Sequence, residues 1–285
     1  MARSPHGLRL WVGGDVHLGA ERGHALLAPH LARLAVGAGI VNLEGPVSSR
    51  ETRRQRGRVA LFNHPDALSR LVGAGVRVAG IANNHRTDAG PDGTTGTGRA
   101  LRGRGIGAAG APIGSAHLDQ DGWRVGVAAF DVTSSPAVAM ARELDRVRSD
   151  NDVLVVLLHD TGPPSYLPSA RLERAVAVAL AAGAAVVAAH GTHAVARVER
   201  RGAAVIAWGL GNLAFACDCT RDREGLLLLV VKTARRLRAA VIPIEADLRG
   251  GPAHLSPDPA GVVDLLRALG SSALRRDGAL AWLDG

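Results

Sequence analysis

The chain is expected to fold as a single α/β domain with an antiparallel half, and three observations point there. Short β-like runs of small apolar residues (LRLWVG, AGIV, VRVAGIA, DVLVVLL and AAVVAA) alternate with helical patterns through most of the sequence. Each run ends in a polar cluster: Gly14-Asp15-Val16-His17, Asn42-Leu43-Glu44, Asn83-Asn84-His85, His159, and His190-Gly191-Thr192-His193. Beyond about residue 195 the pattern changes to consecutive strand-like runs with tight turns, as antiparallel pairing requires. Polar residues at the carboxyl ends of strands are how open α/β sheets build their sites.

The elements follow in order. Residues 8–14 read as a strand, and 22–36 as a helix that Pro29 kinks or divides. A strand at 39–43 leads through a basic loop to a helix at 65–74, with Pro65 suited to its first turn. A strand at 76–82, a Gly- and Thr-weakened helix at 92–104 and a short strand at 105–109 come next. Strand 123–130, helix 137–148, strand 152–158, helix 169–182 and strand 184–189 continue the alternation. Strands at 195–200, 203–209, 225–233 and 236–244 form the antiparallel part, and a helix at 259–269 precedes a short tail. The expected organisation is one domain over 1–285, its core about 8–245 and its helical tail about 257–285.

With 285 residues and 47% apolar content, the chain can bury a substantial core. Aromatics make up only 3%, so that core must be packed from Ala, Val, Leu and Gly. The longest apolar stretches, around 175–189 and 226–231, are too short or too interrupted to span a bilayer. The first residues, MARSPHGLRLWVGGDVHLG, lack the apolar region of a secretory signal, so a cytoplasmic protein without a membrane segment is expected. The net charge is +8, yet Lys232 is the only lysine among 34 basic residues. Arg in place of Lys, with abundant Ala and Gly, is what a GC-rich genome produces. The charge therefore does not call for nucleic acid, and the expected partner is an anionic small molecule or polymer. The densest basic run holds Arg50, Arg53, Arg54, Arg56 and Arg58. It reads either as a solvated loop or as a guanidinium clamp for carboxylate or phosphate. Cys217 and Cys219, spaced C-x-C, are expected to be reduced thiols, since so short a spacing rarely meets disulfide geometry; a metal-binding role is the alternative.

The polar clusters carry the chemistry. Asp15 and His17, two apart at a strand end, share one face. Glu44 has two oxygens with which to bridge, and Asn84 offers a neutral amide oxygen. His190 and His193 stand three apart across a glycine. Five imidazoles, two carboxylates and a carboxamide form the inventory of a two-metal hydrolytic site.

This order of motifs resembles the calcineurin-like metallophosphoesterases. More closely it resembles their CapA branch, named for bacterial capsule and poly-γ-glutamate synthesis. The matching segments are GDVHLG from Gly14, NLEGPV from Asn42, ANNHRTDAG from Ala82, HGTHAVARVE from His190 and WGLGNLAF from Trp208. The resemblance implies a four-layer α/β/β/α sandwich with two mixed β-sheets. It also implies two divalent transition-metal ions (Mn, Fe, Zn or Co). Asp15, His17 and His193 would hold the first ion, Asn84, His159 and His190 the second, and Glu44 would bridge. His85 would act as general acid or electrostatic stabiliser, with Asp88 orienting a histidine. The fourth cluster departs from the family's usual H-W-G-x-E: it reads His159-Asp160-Thr161-Gly162-Pro163. The expected function is metal-dependent hydrolysis of a phosphate ester or an anionic small molecule, with Arg53, Arg54, Arg56 and Arg58 contacting substrate. Amide or γ-glutamyl chemistry at the same site is the alternative, and a non-catalytic role in capsule-polymer assembly is a third reading.

Overall fold

The structure is a computed structural model that describes residues 7–283 apart from positions 22, 56, 57, 164 and 218, and from the side chains at 54 and 55. Along the chain the elements are β1 (Leu8–His17), α1 (Pro29–Leu34), β2 (Ala38–Leu43), β3 (Arg53–Gln55), β4 (Arg58–Ala60), α2 (Leu68–Gly73), β5 (Val76–Gly80), α3 (Gly93–Arg102), β6 (Gly107–Ala109) and β7 (Ala116–Gln120). There follow β8 (Trp123–Asp131), α4 (Ala137–Ser149), β9 (Val153–His159), α5 (Ala170–Ala181), β10 (Val186–His190), β11 (Val198–Arg201), β12 (Ala204–Ala207) and β13 (Asn212–Phe215). The chain ends with β14 (Glu224–Lys232), β15 (Leu237–Glu245), β16 (His254–Leu255), α6 (Pro259–Ala268), β17 (Leu274–Asp277) and β18 (Leu280–Leu283).

Two mixed sheets stack face to face. The larger runs β17-β18-β15-β14-β1-β2-β5-β6, with β13 on β1 and β16 on β15; the smaller runs β11-β12-β10-β9-β8-β7. Strands β1, β2, β5 and β6 pair in parallel, as do β8, β9, β10 and β12. The expected antiparallel region exists but is divided. The β11–β12 hairpin edges the small sheet, while β14 and β15 extend the large one.

Strand β9 shows why its sequence is a continuous apolar run. Val153, Val155 and Leu157 face the core between the sheets, and Leu154, Val156 and Leu158 face helices α4 and α5. Both faces of a central parallel strand are covered, so the period-2 polarity of a half-exposed strand is absent. Helices α1 to α3 cover the other face of the large sheet through Leu31, Leu68, Leu71 and Leu101. The architecture is thus the four-layer α/β/β/α sandwich.

Four expectations are corrected. The helix over 22–36 contracts to Pro29–Leu34, because Pro29 opens the helix and Leu27 is drawn into a bridge with Ala253. The basic run is a two-stranded hairpin, β3 with β4, rather than an irregular loop. The tail is helical only in α6; β17 and β18 then add a hairpin to the large sheet. Cys217 and Cys219 are joined as a disulfide, Sγ to Sγ 2.14 Å. Their Cα atoms lie 5.2 Å apart, within the span that a bridge needs.

Candidate metal centre

The carboxyl ends of β1, β2, β5, β9 and β10 converge where the two parallel halves meet, each carrying one of the polar clusters. Asp15 is aimed there by an irregular register at the end of β1, where its pairing with both β13 and β2 shifts. Gly14 permits the close approach of β13: a Cβ there would lie 2.1 Å from the Gly211 carbonyl oxygen. That carbonyl accepts from the Asp15 amide at 2.9 Å.

Asp15, Glu44 and His159 form the heart of the site. Each offers a donor atom within 4.8 Å of the others, and all three residues are buried. Asp15 Oδ1 accepts from Asn42 Nδ2 at 2.8 Å and Oδ2 from the Gly191 amide at 3.0 Å. His190 Nδ1 and His193 Nδ1 each approach an Asp15 oxygen at 3.3 Å. His193 sits at φ 56, a left-handed conformation uncommon outside glycine, and its Nδ1 lies 2.9 Å from Asn212 Oδ1. Gly191, at φ 94, is needed for packing as well, since a Cβ would stand 2.8 Å from the His159 ring. His159 Nε2 lies 2.8 Å from Asn84 Oδ1, which places those two donors side by side.

His17 is set slightly apart. Its Nε2 is 3.2 Å from the Phe62 carbonyl and 2.9 Å from Thr52 Oγ1, and its ring packs near Phe215. His85 and Asp88 form their own pair, Nδ1 to Oδ2 at 2.7 Å. Asp88 Oδ2 also accepts from the Leu61 amide at 2.8 Å. Of the basic residues, Arg53 lies exposed on β3. Arg58 is 79% exposed and comes within 3.6 Å of Asp88 Oδ1. The side chain of Arg54, and Arg56 altogether, lie outside the described residues.

The electrostatics are those of a site built around positive charge. Burial, with the Asp15 carboxylate beside it, pushes Glu44 up to about 8. Burial opposes the charged form of His193, but Glu44 and Asp15 override it and lift the imidazole to about 10. Burial likewise opposes the Asp15 charge, yet the His190 and His193 imidazoles beside it hold it well below the usual carboxylate range. Burial drives His159 and His17 down to about 4, so both are neutral and able to ligate. The 3.9 Å contact between His159 and Glu44 therefore joins two neutral groups near pH 7 and is not an ion pair.

The donor set fits a metal on a further observation. Glu44 Oε1, both ring nitrogens of His190 and His17 Nδ1 are buried and make no hydrogen bond. Orphaned buried polar atoms are rare and cost roughly 1–3 kcal/mol each, so several in one site call for a cation.

Several supporting residues stand behind these donors. Asn42 and Asn212 fix Asp15 and His193, and Thr52 bonds His17. Asn63 ties the Leu18 amide to the Glu44 carbonyl at 2.7 Å each. Buried Asp131, the ladder partner of His159, accepts from Arg86 Nη1 at 2.9 Å. Only Asn42 and Asn212 could have been singled out, since both fall within the motif segments.

This fold and this group of donors define a metallophosphoesterase-like protein. The family model described as bacterial capsule synthesis protein PGA_cap matches residues 10–217, and the chain belongs to that family. Among solved structures it is similar to a hypothetical protein from Thermus thermophilus. The TM-score is 0.53 at 15% identity, covering 83% of this chain and 98% of that one, which speaks to the fold alone. A search of curated proteins finds no match.

Proposed function

We propose that the protein is a dinuclear metal-dependent hydrolase acting on a phosphate ester or another small anionic substrate. The observation that carries this is the group of buried, unbonded donors around Asp15. Asp15, His17 and His193 would hold one ion, Asn84, His159 and His190 the other, and Glu44 would bridge. When bound, such ions neutralise the oxygens of a phosphoryl or acyl group and make water acidic enough to attack near neutral pH.

The chain's own residues supply the rest. Asp88 takes the Nδ1 proton of His85 into a 2.7 Å hydrogen bond, which fixes the tautomer and leaves Nε2 to give or take a proton. His85 is partly exposed, so a leaving-group oxygen can reach it. His85 donates to that oxygen as the bond breaks. Asn42 and Asn212 hold Asp15 and His193 in place throughout. Arg53 and Arg58, on the hairpin that begins beside His17 and ends beside Asp88, meet the substrate's far anionic group. Membership of a capsule synthesis family favours one second reading, γ-glutamyl amide chemistry at the same centre.

Elemental analysis of protein purified without chelators, with a parallel screen of phosphate esters and γ-glutamyl amides, tests the proposal. More than one transition metal per chain and metal-dependent turnover of a phosphate ester are expected. A metal-free protein that turns substrate over at full rate refutes it.

A further inference from the structure

A second concavity lies at the opposite pole of the sandwich, about 580 Å³ in volume. It is lined where β9 and β10 begin (Leu154, Ala184, Ala185) and by the turns joining β11 to β12 and β14 to β15. His159 ends β9, so the metal centre is about 17 Å away along that strand, at ~3.3 Å per residue.

Six cationic residues line this space: Arg148, Arg200, Arg201, Lys232, Arg235 and Arg236. One carboxylate, Asp152, lines it with them. The whole chain has 34 basic residues to 26 acidic, so six to one is a local enrichment over its composition. Three of the cations are held by neutral partners. Arg148 Nη1 donates to the Asn151 carbonyl at 2.8 Å, Arg200 Nη2 to the Leu237 carbonyl at 3.1 Å, and Lys232 Nζ to the Thr233 carbonyl at 2.7 Å. A carbonyl orients a cation without cancelling its charge. Arg201 does have a carboxylate partner, Glu199, at 2.8 Å. Arg200 Nε is buried and makes no hydrogen bond. Like charges gathered at fixed positions repel one another, and a ligand of opposite charge would relieve that.

We propose that this groove is an anion site, separate from the metal centre, for a compact ligand carrying two or more carboxylate or phosphate groups. Guanidinium forks suit both groups, and the half-buried Leu180 can take the methylenes between them. The volume is that of a small-molecule site. Among the described residues no aromatic side chain lines the groove for base stacking, which disfavours single-stranded nucleic acid.

The test is calorimetric titration of the whole protein with fructose 1,6-bisphosphate and with pentaglutamate at several salt concentrations. The two probes separate phosphate from carboxylate as the preferred group. At least one should bind at low salt. The double variant Lys232→Gln/Arg235→Gln should weaken it about tenfold or more and flatten its salt dependence. Asp15→Asn, at the metal end, should leave that affinity in place, as should Arg33→Gln/Arg104→Gln, two exposed arginines elsewhere. The proposal is overturned if neither probe binds, or if the Arg33/Arg104 control weakens binding equally. It is overturned too if Asp15→Asn abolishes binding while Lys232→Gln/Arg235→Gln does not. None of these outcomes depends on hydrolytic activity, so failure here is distinct from failure of the proposed function.

Discussion

Loading the centre with metal should release protons, and the charge state of its residues says how many. A cation takes the deprotonated form of each ligand. Near pH 7, Asp15 is already a carboxylate, and His17 and His159, pushed down to about 4, are already neutral. Those three release nothing. Glu44, pushed up to about 8, and His193, lifted to about 10, still carry protons at pH 7. They lie in one electrostatic cluster and titrate together, so the count belongs to the pair and is between one and two. The sign is fixed: raising the pH strips these protons in advance, so affinity must rise with pH. One to two protons mean roughly a 10- to 100-fold gain in apparent association constant per pH unit between 6.5 and 8.

The assay is calorimetric titration of chelator-treated protein with Mn or Zn in Pipes and in Tris, buffers of different ionisation enthalpy. The difference in apparent heat between buffers counts the protons directly. Glu44→Gln should lower the count, both by removing that carboxyl and by weakening the field on His193. An apparent enthalpy independent of buffer across pH 6.5–7.5, or an affinity that falls with rising pH, would refute the reasoning.

Other outcomes follow from the same geometry. His85→Ala should keep its metal and lose about 10²–10⁴ in turnover, whereas His190→Ala should lose metal; equal metal loss in both would make His85 a ligand. In metal-free protein, His17 and His159 lie below their unfolded value, so their contribution is present above about pH 6.5 and is lost as pH falls toward 4. Glu44, raised when folded, has the opposite sign between pH 8 and 4.5. The three together predict a net loss of about 1.4 kcal/mol per pH unit from 6.5 to 4.5, checked by urea unfolding at each pH; a flat or rising profile contradicts it. Replacing Arg53, Arg54 and Arg56 by Gln should raise KM severalfold and flatten its salt dependence with metal content unchanged; unaltered kinetics would leave the hairpin's charges a solvated face. Gly14→Ala should destabilise by about 1–3 kcal/mol and impair metal loading, because its methyl meets the Gly211 carbonyl; calorimetric melting and metal content together check it.

Much of this was readable in the sequence, and the reason is local. The parallel strands are covered on both faces, so they appear as short unbroken apolar runs, and their ends appear as abrupt polarity. What is not legible there depends on distant partners. Leu26 and Leu27 have helical company in sequence, but Ala253 claims them for a strand-like bridge that no local pattern announces. Strand β7 carries the alternating AHLDQ pattern of an edge, a weak signal over five residues. Strand β13 is only four residues long and exists because β1 lies beside it.

The same division runs through the site. Residues that would touch metal belong to chemically restricted types and sit at strand ends, where they are conspicuous. Residues that hold them do not. Asn42, Asn212, Asn63 and Thr52 are ordinary loop-forming types, and their importance lies only in which atom each meets across 10 to 45 residues of chain. The hairpin makes the point most sharply. Its basic residues stand out in the sequence as a charge run, yet the structure links its two ends to the site through uncharged atoms, Thr52 Oγ1 to His17 and the Leu61 amide to Asp88. A displacement of the hairpin would therefore reach a prospective metal ligand from one end and the His85–Asp88 pair from the other. The charge in this segment bears on what binds, and the neutral contacts bear on whether binding is felt at the centre.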